Sequence, residues 1–166
     1  PTTLAAGTER IEFISLADLF GIATGAAGAC EMREGIDVLK MLRGESAPRQ
    51  HLIGMVEVPG SHDFKIMVLT DEWKYIFMAN GGREQLFNRK NDPNELSNCV
   101  SSSSAIRSEL YALAVKACRV PGATDAIDDN KLRAFPFRQR PPIRIYQFDR
   151  SRGVVGFPDK PQDALK

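Results

Sequence analysis

Two apolar runs, at residues 64–69 and 73–78, flank a short polar turn, and this pairing does most to limit what the chain can fold into. It predicts a β-hairpin. Asn80-Gly81-Gly82 follows, a turn in which positive φ costs little. A short strand over 85–88 and an Asp92-Pro93-Asn94 turn complete an antiparallel meander. Upstream, residues 51–58 read as another strand, closed by Pro59-Gly60-Ser61.

A sheet this small needs a covering layer. Residues 105–118 supply one, because Ile106, Leu110, Leu113, Ala114 and Ala117 fall on one helical stripe after a capping run of four serines, Ser101–Ser104. The fold class expected is therefore α+β, a small antiparallel sheet of about four strands under one long amphipathic helix. Before the sheet, Leu16, Leu19, Phe20 and Ala23 recur at helical spacing and predict a helix over 16–27. Ser15 is its expected N-cap, with Asp18 in a weak capping box. A shorter helix is expected over 36–42 with Gly44 as its stop, and Pro48 marks a break. Residues 119–142 read as an irregular connection, 143–148 as a strand and 153–166 as a surface tail.

Hydrophobic content of 43% and charged content of 26% over 166 residues are ordinary for a globular protein. A net charge of +1 steers no particular partner. No apolar stretch reaches the roughly 18–20 residues of a membrane span. The chain opens Pro1-Thr2-Thr3 without Met and reads as an internal start, so any signal peptide would lie upstream and the compartment stays open. Cys30, Cys99 and Cys118 are too widely spaced for a zinc pair or a disulfide framework and read as buried free thiols.

Candidate binding residues are few. The Gly21, Gly25 and Gly28 spacing fits no nucleotide loop and reads as close helix packing. His51 and His62 are the two histidines, and a lone histidine is a poor metal signal. His62, in a polar turn, is the better placed to reach a ligand, although a solvated turn residue is the plainer reading. Lys65 and Lys74 read first as edge charges. Residues 131–152 hold seven basic side chains, Arg138 and Arg140 among them, against the single acid Asp149, with aromatics interleaved. That resembles a nucleic-acid footprint in part. The Pro-rich context and the acids elsewhere favour a solvated or domain-packing segment. A third option turns these arginines toward an anionic substrate, since guanidinium presents a planar fork to oxyanions.

In order and wording, W-K-Y-I, then G-R-E-Q-L-F, then N-D-P-N-E-L-S-N, residues 67–98 resemble the C-terminal part of the sulfatase family. The earlier S-L-A-D-L-F … G-A … G-I-D … L-R-G-E resembles the stretch that closes the family's large α/β domain, with Gly21 in place of the usual Pro and no Asp-Gly pair. The resemblance covers residues 10–118. It implies an alkaline-phosphatase-like large domain upstream, so that 1–48 would be its tail end, 49–118 a C-terminal subdomain and 119–166 a basic extension. The helices at 16–27 and 36–42 would then belong to a missing domain and expose apolar faces here.

Family members hydrolyse sulfate esters with a formylglycine, made from the Cys or Ser of a C/S-x-P-S-R motif, and a divalent metal, usually calcium. Ser46-Ala47-Pro48-Arg49 lacks the second Ser, and no Cys starts the motif. The resemblance therefore implies no catalytic and no metal residue in this chain, which alone would be inactive. His62, Lys65, Lys74, Arg138 and Arg140 are the weak substrate-binding candidates. The implied partners are the upstream catalytic domain and an anionic sulfate ester, with no membrane and no nucleic acid. The rivals are a phosphate or phosphonate ester hydrolase of the same superfamily and a non-catalytic anion-binding module.

Overall fold

Strands β1 (Leu52–Val56), β2 (Lys65–Leu69), β3 (Trp73–Met78) and β4 (Arg83–Asn88) pair antiparallel in chain order. The computed structural model describes residues 7, 9–29 and 35–139. Cys30, Arg140 and the segments 143–148 and 153–166 lie outside the described residues. Register sets Ile53, Val68, Tyr75 and Leu86 in one cross-strand row and Met55, Ile66, Phe77 and Glu84 in the next. These rows form the inner face, where Ile66, Val68, Tyr75 and Leu86 are wholly buried. The long helix described next covers that face; burying each such side chain stabilises by about 1.5–3 kcal/mol.

That long helix, Ser104–Ala117, lies on the inner face and sends Leu110, Ala114 and Val115 into the core, followed by Cys118. This is the expected α+β arrangement. Its N-cap, Ser103, makes no side-chain capping bond. A polar cluster joins helix and sheet from within: Tyr75 Oη donates to Glu84 at 2.9 Å and Arg107 donates to both Glu84 oxygens. Burial alone would raise the Glu84 carboxyl, but the donors from Arg107 and Tyr75 outweigh it and hold the group below its ordinary value. Burial, with Glu84 beside it, pushes the Tyr75 phenol up.

Residues 119–139 are more ordered than the composition suggested. A 3₁₀ turn, Thr124–Ala126, leads into a two-stranded hairpin, β5 (Ile127–Asp128) with β6 (Lys131–Leu132). Its turn residues Asp129 and Asn130 take φ of 45° and 60°, which their short polar side chains tolerate. Ala123, Ala126 and Leu132 are buried, and Leu132 N donates to Tyr111 Oη at 3.0 Å. The polar composition concealed a hairpin that closes the core.

Ahead of the sheet, α1 (Asp18–Ala26) and α2 (Val38–Leu42) pack on each other. Gly21 and Gly25 permit this, since a Cβ there would lie 3.3 Å from Ile36 O and 3.2 Å from Leu39 Cδ1. Both helices start two residues later than expected. The N-cap of α1 is Ala17, and Ser15 does not cap it. Instead the Asp18 carboxylate accepts Ser15 N–H at 2.6 Å, Ile36 N–H at 2.8 Å and two Arg49 donors at 2.7 and 2.9 Å. Asp18 is 1% exposed. Gly35, at φ 116°, is required beside it, because a Cβ would meet Asp18 Oδ1 at 2.9 Å. Asp37 caps α2, accepting from Lys40 N at 3.0 Å. Leu16 and Leu19 are exposed, as is Ile11 before them.

Removing one member of a buried ion pair strands the other. Arg49→Ala is expected to lower stability by about 3–5 kcal/mol, or to open α1–α2 locally, as read by denaturant unfolding and amide exchange. The Arg49 guanidinium holds the Asp18 carboxyl well below the usual carboxylate range. Its contribution is therefore complete above about pH 4 and declines as pH falls below that. The wild-type chain should lose this increment on acidification, and Arg49→Ala should lack it.

Candidate functional site

The turn between β3 and β4 holds a returning segment of chain. Phe135 N donates to Ala79 O and Gly81 N to Phe135 O, each at 2.9 Å. The buried Asn80 continues this ladder with its side chain, Nδ2 donating to Arg138 O and Oδ1 accepting from Arg138 N, both at 2.8 Å. One amide side chain thus pairs with a backbone as a strand would. Beside it opens a small cleft of about 110 Å³ lined by Asp63, Phe64, Lys65, Met78, Asn80 and Arg83.

Two cations flank the cleft. Lys65 and Arg83 both oppose Met78 in register, on strands either side of β3, so their Cα atoms stand about 10 Å apart on one face. Neither has a carboxylate partner among the described residues. Arg83 Nε donates to Asn80 O at 3.1 Å and its guanidinium lies 5.1 Å from the Phe137 ring centroid. These contacts orient the fork without neutralising it. His62, which precedes the cleft residue Asp63, has Nε2 donating to Pro136 O at 3.0 Å and its ring 5.5 Å from Phe135. Its Nδ1 is 3.7 Å from Asp63 Oδ1.

The structure therefore brings His62, Lys65 and the Arg138 backbone to one place. Lys74 sits at the far end of the β2–β3 ladder, about 13 Å along the strands from Lys65, where it binds Glu95 at 2.5 Å. Arg140 lies outside the described residues. Arg83 and Asn80 were not among the sequence candidates. Starting β4 at residue 83 rather than 85 would have put Arg83 beside Lys65 by alternation alone.

The N-D-P-N-E-L-S-N stretch proves to be scaffold. Asn98 Oδ1 accepts from Leu86 N at 2.9 Å and Val100 N at 3.1 Å, and Cys99 N donates to Leu86 O at 2.7 Å. These bonds satisfy the open edge of β4. Asp92 accepts from Ser97 N at 2.8 Å, closing the loop. Among the described residues no three His, Cys, Asp or Glu side chains gather as metal ligands. Arg49, the last residue of the Ser46-Ala47-Pro48-Arg49 loop, is committed to Asp18.

No family model and no curated protein matches the sequence. Solved structures do. A protein of Bacteroides thetaiotaomicron assigned to the sulfatases is 25% identical, with a TM-score of 0.56, over 71% of this chain and 27% of its own. A 2-O GAG sulfatase matches at 25% identity and a TM-score of 0.54, over 71% of this chain and 27% of its own. A protein solved with its substrate D-glucosamine-2-N,6-O-disulfate shares the fold at 20% identity and a TM-score of 0.51, over 60% of this chain and 23% of its own. The chain thus spans about a quarter of the length of the solved structures it matches, and its likeness is to the C-terminal part of a sulfatase.

Asn80→Ala should release Arg138 from the turn while the Phe135 backbone bonds persist, at a cost of about 1–3 kcal/mol for the two hydrogen bonds lost. Faster amide exchange at Arg138, with the sheet amides unchanged, would show it. Asn98→Ala should cost a similar about 1–3 kcal/mol, and its signature would be exchange at Leu86 and Val100.

Proposed function

We propose that this chain is the C-terminal part of a sulfatase-type hydrolase and that it presents Lys65 and Arg83 to the anionic substrate. The observation that carries the reading is the shared fold together with two cations that form no ion pair among the described residues, beside one cleft that Asp63 also lines. A sulfate ester bears negative charge that grows on the leaving oxygen as its bond to sulfur breaks. Fixed cations facing that charge lower the barrier only if they already point at it. Arg83 is set by Asn80 and Phe137, and the Asn80 clamp holds Arg138 nearby. His62 supports the same segment through Pro136. Lys74, neutralised by Glu95, contributes to the scaffold.

Hydrolysis itself is assigned to the remainder of the polypeptide, where a formylglycine would supply the nucleophile and calcium would stabilise the oxyanion. This chain alone is proposed to be inactive. The relatives include a GAG sulfatase and a protein bound to a disulfated glucosamine, which makes a sulfated saccharide the substrate class to test first.

The test is made on the complete gene product, with sulfated and phosphorylated saccharides side by side. Sulfate release is expected. A charge-assisted hydrogen bond is worth about 1.5–3 kcal/mol, so Lys65→Ala and Arg83→Ala should each raise KM roughly ten- to a hundredfold with thermal stability unchanged. Hydrolysis of phosphate esters alone would move the protein to the phosphatase-like rival. Binding of anionic polymer without turnover would leave the binding module.

A further inference from the structure

The two edges of the four-stranded sheet are treated differently. Asn98 and Cys99 bond to the outward backbone of β4, whereas β1 has no neighbour on its far side among the described residues. Which of its groups are left over follows from the ladder. Ala79 N donates to Phe64 O, so Phe64, Ile66 and Val68 turn their backbone groups to β3, while Lys65, Met67 and Leu69 turn theirs to β1. Their partners Val56, Gly54 and Leu52 are thereby satisfied. Ile53 and Met55 instead point N–H and C=O out of the sheet, and among the described residues neither makes a backbone bond across that edge. Leu52–Val56 carries no Lys, no Pro and no bulge, the devices that blunt an exposed edge. Val56 is 56% exposed and Val58, beyond it, 69%. On the inner face Ile53 and Met55 pack on the core yet stay partly exposed, so both apolar rows of the sheet stop unfinished at β1.

We infer that residues 143–148 add a fifth strand to this edge, antiparallel to β1, with Ile143 opposite Met55 and Ile145 opposite Ile53. Their sequence, Ile-Arg-Ile-Tyr-Gln-Phe, alternates as a strand does. The course of the preceding chain selects them as the occupant. Asn80 moors Arg138 and His62 moors Pro136 at the end of the sheet where β1 finishes and β2 begins. A chain leaving from there meets the Val56 end of β1 first and runs back along it antiparallel. Five residue steps from Arg138 to Ile143 reach about 17 Å. The place beyond β1 is three strand spacings from β3, about 14 Å. In this register Ile143 and Ile145 exchange backbone bonds with Met55 and Ile53, and their side chains continue the two apolar rows. Arg144 falls opposite Gly54 on the outer face, where no side chain competes for the space. Pro142 falls opposite Val56, a position that faces solvent rather than the ladder, so its missing N–H leaves no acceptor unpaired. A tether this short holds the segment at a roughly millimolar local concentration, which a second copy offering its own β1 does not match in dilute solution.

Amide hydrogen exchange reads the pairing. In the 166-residue chain the Ile53 and Met55 amides should exchange at least roughly tenfold more slowly than in a chain ending at residue 139, while the Ile66 and Tyr75 amides inside the sheet keep the same rates in both. Two proline variants of the full chain separate strand pairing from mere covering. Ile145→Pro removes the donor to Ile53 O and should release both amides. Arg144→Pro, where the N–H turns away from β1, should leave them protected. The proline pair decides the matter should the shortened chain lose its interior protection. Equal exchange at Ile53 and Met55 in the full and shortened chains would overturn the fifth strand, and so would Arg144→Pro acting like Ile145→Pro. Protection that rises with protein concentration would overturn it too, assigning the edge to a second copy.

Discussion

Every side chain of β2 and β3 is committed by the two-residue period of a strand to one of two faces, and in this sheet both faces are apolar. Ile66 and Val68 face the long helix while Met67 and Leu69 face away; Tyr75 and Phe77 are set against Ile76 and Met78 in the same manner. A slip of one residue would exchange the faces and bury Lys65 and Lys74 in the core. The register is held against that slip by Tyr75, whose hydroxyl needs Glu84, and by Arg107, which reaches the same carboxylate from the helix. The ionic cluster selects the arrangement more than it strengthens it, and the packed apolar rows carry the stability.

Side-chain amides do work here that strands do elsewhere. Asn98 occupies the hydrogen-bonding edge of β4, and Asn80 extends the β3–β4 turn to the returning chain at Arg138. Each satisfies backbone groups that would otherwise lie unpaired at a sheet margin. An amide serves both ends of a peptide at once, carbonyl and N–H, where a carboxylate could only accept. The asparagine that ends the N-D-P-N-E-L-S-N phrase is structural in this chain, where it closes a sheet edge.

The sheet and its covering helix were legible because apolar runs bounded by turn residues between 52 and 88, and a helical stripe at 106–117, are strong local signals. The hairpin at 127–132 was not, since two-residue strands carry no period and Asp129-Asn130 is a turn signal only once its neighbours are known to pair. Asp18 misled in a different way. Its spacing from Ser15 suggests a cap, yet its carboxylate is drawn inward by Arg49, thirty-one residues away in sequence. Long-range ion pairs leave no local pattern. Of the cleft, Lys65 and His62 were visible as residue types, whereas Arg83 depended on where β4 begins and Asn80 on a partner near the chain's far end.

Charge placement separates scaffold from site. Arg49, Lys74 and Arg107 each hold an acid within the described residues, and in every case the pair joins segments well separated in sequence. Lys65 and Arg83 stand on the same sheet without an ion-pair partner among the described residues. Their mutual repulsion in water at about 10 Å is only about 0.4 kcal/mol, so folding alone does not force an acid between them. The energetics change when the cleft is covered. Excluding water raises the repulsion several-fold, and it raises by the same factor the attraction of an anion placed between the two cations. Covering the cleft would therefore convert a pair that is nearly neutral to stability into one that favours an anionic ligand, and it would do so without moving either side chain.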